Sequence, residues 1–161
     1  MGLDITCYEK VEPFEGEPTE NQLEDGDLIY WCTLEGYESR LDGIKADYLL
    51  SSGEEFEFRA GSYGGYNQWR NLLALAINGQ SARWHWENAE SEHLPFGELI
   101  NFADNEGCIG PKTSAKLAKD FESYGEKFAA HLEVDDYDRE RYLYWSRGFR
   151  LAADTGCVEF H

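Results

Sequence analysis

The sequence predicts an α+β fold in one domain: a small, mostly antiparallel sheet with about four helices packed on one face. Three observations lead there. Short alternating or apolar runs crowd the first 60 residues and recur at the C-terminus, whereas helical periodicity fills 66–77 and 113–152. A length of 161 residues suits a single core. Hydrophobic content of 42% with 15% aromatics excludes a disordered chain.

"LDITCYEKV", residues 3–11, alternates and is rich in β-branched side chains, which makes a strand. Residues 12–27 contain Pro13, Gly16, Pro18 and Gly26 and read as an acidic loop. "DLIYWCTL" is a short, nearly continuous apolar run, the pattern of a central strand. "GEEFEFRA" sets Phe56 and Phe58 on a buried face and Glu55 and Glu57 outside.

A helix then spans about Tyr66 to Ile77 and ends at Asn78-Gly79, which favours a left-handed stop. Pro95 opens a short helix over "PFGELINFAD". Thr113 or Ser114 caps a longer one, with Leu117, Phe121, Tyr124, Phe128 and Leu132 on one face. Its Lys112, Lys116 and Lys119 lie in the first turns, against the helix dipole. A last helix begins near Asp135-Asp136 and buries Tyr142, Trp145, Phe149 and Ala152; Gly156 ends it, and "CVEF" makes a last strand.

Charge narrows the partners. Fourteen Lys and Arg stand against 32 Asp and Glu, for a net −18. Such a surface repels phosphate backbones and argues against direct nucleic-acid binding. Its plain role is solvation; its sharper one is mimicry of nucleic acid, with carboxylates occupying a partner's basic cleft. No apolar run reaches the roughly 18 residues of a membrane span, and "MGLDITCYEK" lacks a secretory pattern, so cytoplasmic residence is expected. Cys7, Cys32, Cys108 and Cys157 are scattered among apolar neighbours and read as reduced, buried thiols rather than a zinc set. No metal or cofactor is expected.

Two stretches are dense in functional side chains. In "RAGSYGGYNQWR", residues 59–70, glycines turn the chain into a helix N-terminus. There Arg59, Ser62, Asn67 and Arg70 offer donors to an anion, and Tyr63 and Tyr66 offer rings to a planar group. The same residues also fit a capped helix entry, with Ser62 or Asn67 as cap and Tyr66 and Trp69 as core. In "NFADNEG", Asn101, Asp104, Asn105 and Glu106 gather at a helix end, to bind a divalent metal, to serve as acid and base, or as an Asx-turn exit. The spacing matches no calcium loop. His85, between two tryptophans, reads as packing, and His161, the last residue, as frayed.

"MGLDI", "FRAGSYGGYNQWR", "ELINFADNEGCIGPKTSAKLAKDF" and "GCVEFH" together resemble an uncharacterised family of small bacteriophage and prophage proteins, over most of the chain. Asn105 departs from that pattern, which places a small or cysteine residue there. The resemblance implies an accessory protein without implying a reaction. It gives weight to Arg59, Ser62, Tyr63, Tyr66, Asn67, Trp69, Arg70, Asn101, Asp104, Glu106 and His161. The expectation is a binding protein, not an enzyme, that inhibits a host defence factor bearing a basic, nucleic-acid-binding surface. The alternative is a nucleotide-like ligand bound or hydrolysed in one pocket made by 59–70, 101–106 and the C-terminus, with Asp104, Glu106 and His161 as catalytic candidates.

Overall fold

The computed structural model describes residues 2–24, 28–31 and 34–161. Strand β1 (Gly2–Pro13) is followed by a short helix α1 (Glu20–Glu24), β2 (Leu28–Tyr30) and β3 (Tyr48–Ser62). Then come α2 (Tyr63–Asn78), α3 (Ala82–Glu87), α4 (Gly97–Ile100), β4 (Gly107–Ile109), α5 (Pro111–Ala129), α6 (Asp136–Ala152) and β5 (Cys157–Phe160). Short 3₁₀ turns lie at Glu38–Leu41 and Ala89–His93. The strands form one antiparallel sheet in the order β2-β3-β1-β5-β4, which is the α+β architecture the sequence predicts.

Alternation along the central strands divides the sheet into two faces. Leu3, Ile5, Cys7, Val158 and Phe160 face the long helices and join a core with Tyr66, Trp69, Phe121, Trp145 and Phe149. Helix α6 lies so close to β1 that a Cβ at Gly148 would stand 2.5 Å from the Cys7 sulfur. The other parity turns outward: Thr6 opposes Glu159, and Tyr8 opposes Cys157. At one end of this outer face, Trp31 and Leu41, with Ile44 and Ala46, cover Tyr8, Val11, Leu49, Cys108 and Cys157. Among the described residues, the half carrying Asp4, Thr6, Glu55, Glu57, Arg59 and His161 has no such cover.

Several expectations need correction. The strand in "DLIYWCTL", Leu28–Tyr30, is an edge: Ile29 and Trp31 are buried with Leu41 and Leu49 in the second cluster, while Tyr30 faces out. The 12–27 segment holds α1 as well as loop. Helix α5 starts at Pro111, with neither Thr113 nor Ser114 as cap. Asp42, 71 residues upstream, takes that role by accepting from the Thr113 N–H (2.8 Å) and hydroxyl (3.0 Å). Leu132 lies beyond the end of α5 and is fully exposed. The adverse Lys116 is absorbed by Glu98 (2.6 Å) and Asp120 (2.7 Å). Cys7 and Cys157 are buried thiols, and burial pushes the Cys7 thiol up; Cys32 lies outside the described residues.

Candidate functional site

The first dense stretch straddles a strand-to-helix junction. Ser62 is extended and accepts from the Gly65 N–H at 3.0 Å, so it caps α2. Gly61 has φ 122, and a Cβ there would meet the Arg141 guanidinium at 2.7 Å. One turn on, Tyr66 and Trp69 enter the core, where Trp69 stacks with Trp145 and Tyr66 lies tilted against it. Tyr63 packs half-buried against the same cluster. These aromatics are core, as the simpler reading of the sequence has them.

Arg70 and Asn67 do something different. Arg70 is buried between the rings of Tyr66 and Trp86, its guanidinium carbon 5.1 and 5.0 Å from their centroids. It donates to the Phe102 carbonyl at 2.5 Å and to the Asn67 side-chain oxygen. The Asn67 amide donates in turn to Asp104 at 2.6 Å. The two polar-dense stretches therefore meet in one chain of bonds, with a buried cation at one end and a carboxylate at the other. The network is nearly closed on itself: the Tyr66 hydroxyl and Arg70 Nε are its buried polar atoms left without a partner among the described residues. Burial pushes the Tyr66 phenol up to about 12, so it stays protonated. The arrangement clamps the 101–106 loop onto α2.

Asn101 belongs to a neighbouring clamp. Its amide donates to Glu92 at 3.3 Å, and its carbonyl accepts from Arg40 at 3.0 Å. Arg40, buried, also bonds Glu92 and the Glu98 carbonyl. Sequence reasoning missed Arg40, and nothing near it in the chain marks it, since its partners lie 52–61 residues away. It missed Arg141 too, which lies 4.0 Å over the Tyr137 ring; there the i, i+4 spacing was a usable signal.

Arg59 and His161 occupy a different place, the open half of the outer sheet face. Arg59 pairs with Asp4 at 3.3 Å. His161 Nε2 and the Thr6 hydroxyl are 2.9 Å apart, and His161 exchanges both backbone bonds with Asp4, so the terminus is zipped rather than frayed. Tyr8 donates to Glu159 at 3.1 Å. Burial raises the Glu159 carboxyl above its usual range, against the Tyr8 hydrogen bond and the nearby His161. A depression of about 330 Å³ is lined here by Asp4, Thr6, Glu57, Arg59 and His161. Glu106 is exposed and bonds no side chain among the described residues; continuing the β4–β5 register by one residue sets it opposite His161. The single pocket joining 59–70, 101–106 and the C-terminus is thus not formed: Asn67, Arg70 and Asp104 lie on the helix side, Arg59 and His161 on the other.

No family model, curated protein or solved structure matches this chain. Among the described residues no three His, Cys, Asp or Glu side chains converge to hold a metal ion, and no helix is long and apolar enough to cross a membrane. The Thr6–His161 pair places a hydroxyl beside an imidazole, but Thr6 is only 4% exposed and, among the described residues, no side chain bonds the other imidazole nitrogen. The outer face carries the exposed carboxylates of Glu55 and Glu57, beside the Asp4–Arg59 pair and the half-buried Glu159 bonded to Tyr8. Asp4 on β1, Glu55 and Glu57 on β3 and Glu159 on β5 share one face of three adjacent strands.

Proposed function

We propose that this chain acts by binding and not by catalysis. It takes the basic, nucleic-acid-binding surface of a host protein against the open outer face of its sheet, as a bacteriophage or prophage accessory protein in the host cytoplasm. The target is a defence factor. One observation carries the reading: the exposed carboxylates of Glu55 and Glu57 stand, with Asp4 and Glu159 nearby, on a half of one sheet face that no loop covers among the described residues, so carboxylates stand where phosphates would. Complementary charge of this kind steers association and rejects acidic surfaces.

A nucleotide-like ligand, bound or hydrolysed, has less behind it. The donors that would grip it are divided between two places, and Arg70 is spent on internal contacts. The test is affinity capture from bacterial host lysate with the natural chain, with Glu55→Lys/Glu57→Lys, and with the distant Glu87→Lys/Glu90→Lys. The reading requires a partner held by the natural chain and the distant variant, released by heparin, and lost from the first variant. Equal capture by all three would contradict it.

A further inference from the structure

The acidic face continues onto an unusual edge. Strand β3 pairs with β1 from Leu49 to Ser62, but with β2 only from Tyr48 to Leu50. Between Glu55 and Arg59 its other edge meets no strand among the described residues.

The direction of the backbone there follows from the ladder. Asp4 and His161 exchange both of their hydrogen bonds, at 2.9 and 3.0 Å, so Asp4, Thr6 and Tyr8 turn their N–H and C=O groups toward β5. Ile5 and Cys7 turn theirs toward β3, where they face Phe58 and Phe56. Glu55, Glu57 and Arg59 therefore aim their N–H and C=O groups outward, into the open edge. An exposed row of unpaired groups like this is a template for another strand.

The two sides of the edge differ in chemistry. On the outer side stand the exposed carboxylates of Glu55 and Glu57. On the helix side Phe56 and Phe58 stack at 5.6 Å, and the 37%-exposed Tyr144 of α6 extends them, 6.2 and 5.8 Å from the two rings. Arg147, over the Phe56 ring at 4.0 Å and bonded to Glu54, closes the far end of this shelf.

We propose that the edge at Glu55–Arg59 takes up one extended segment of the partner as an added strand. Side chains on that segment alternate: lysine or arginine toward Glu55 and Glu57, apolar toward Phe56, Phe58 and Tyr144. Main-chain bonds give affinity and the alternation gives specificity. A second copy of this chain is the wrong occupant, because it brings its own net −18 and its own glutamates to the same edge. The proposal rests on the acidic-face reading and adds the mode of docking.

The probe is a blocked heptapeptide of alternating lysine and valine, added to the full chain while amide hydrogen exchange is followed by NMR. Protection should rise at least tenfold at Glu55, Glu57 and Arg59, while Phe56 and Phe58, already bonded to β1, stay unchanged. Glu57→Pro removes an outward N–H without touching the β1 ladder and should weaken the peptide at least fivefold, with the circular dichroism unchanged. A glutamate–valine peptide should give no protection. Peptide binding without the alternating pattern overturns strand addition and leaves the acidic-face reading standing, as does capture of a folded basic partner with no binding of the peptide. Equal protection by the acidic peptide, or dimerisation of the chain through this edge, also overturns it.

Discussion

Asn67 donates to Asp104 at 2.6 Å across 37 residues of chain, and Arg70 holds the same asparagine from the other side. This pairing decides how the tyrosine- and glycine-rich stretch is used. Asn67 and Arg70 are turned into the protein to fasten a loop, whereas Arg59 at the start of the stretch stands exposed on the opposite face of the sheet.

The clamp should therefore behave as a stability element. Arg70→Met leaves the Phe102 carbonyl and the Asn67 oxygen without their donor, and unsatisfied buried acceptors cost about 1–3 kcal/mol each. A loss of about 2–4 kcal/mol is expected from urea unfolding at neutral pH, with Asn67→Ala costing less. Unchanged stability would show that Arg70 is held there for a ligand instead.

Capping gives a milder prediction. Ser62 caps α2, and Asp135 caps α6 in a reciprocal box with Asp138. Ser62→Ala and Asp135→Ala should each cost about 1 kcal/mol. Arg141 bridges the two helix ends, bonding the Gly65 carbonyl and the Tyr137 hydroxyl, so the double variant should depart from the simple sum. Urea midpoints of the two single variants and the double check this.

The junction of α6 and β5 tolerates no side chain. A Cβ on Gly156 would fall 1.8 Å from the Tyr8 carbonyl oxygen and 2.9 Å from the Ala152 Cα, both backbone atoms. Gly156→Ala should cost more than about 3 kcal/mol, beyond the usual overpacking penalty, because neither neighbour can rotate away. A thermal melt within a degree or two of the natural chain would contradict this contact.

Acid should act on Glu159 in a direction opposite to most surface carboxylates. Burial raises its folded pKa above the ordinary value, so between the two values the folded state binds the extra proton. Its contribution to stability therefore falls as the pH rises through that window and levels off above it. Glu159→Gln should stabilise the chain at pH 7, with the gain fading below the ordinary carboxylate range. Paired denaturation curves at pH 7 and pH 4 measure it; a variant less stable at pH 7 would show that the Tyr8 bond outweighs burial.

Legibility in the sequence followed the range of the contacts involved. The buried stripe of Tyr142, Trp145, Phe149 and Ala152 was readable because a helix repeats its face locally, and Asp135 marks its start. Gly79 was readable as the left-handed stop of α2. The strand at Leu28–Tyr30 was misplaced because apolar burial looks the same whether strands or a folded-back loop provide it. Leu132 kept the helical spacing, but the helix had already ended. Within the site, the density of polar residues marked both halves of the Asn67–Asp104 clamp. The division of Arg59 and His161 from Asn67 and Asp104 depends on sheet parity, which only the strand register reveals.

The most direct measurement of the central claim is amide chemical-shift mapping of the isotope-labelled chain titrated with a lysine hexapeptide at low and high salt. Salt-sensitive shifts should gather at Asp4, Glu55, Glu57, Arg59, Glu159 and His161, and disappear in Glu55→Gln/Glu57→Gln. Shifts spread evenly over the acidic surface, or centred on Glu133, Asp135 and Asp138, would contradict the outer sheet face as the binding surface.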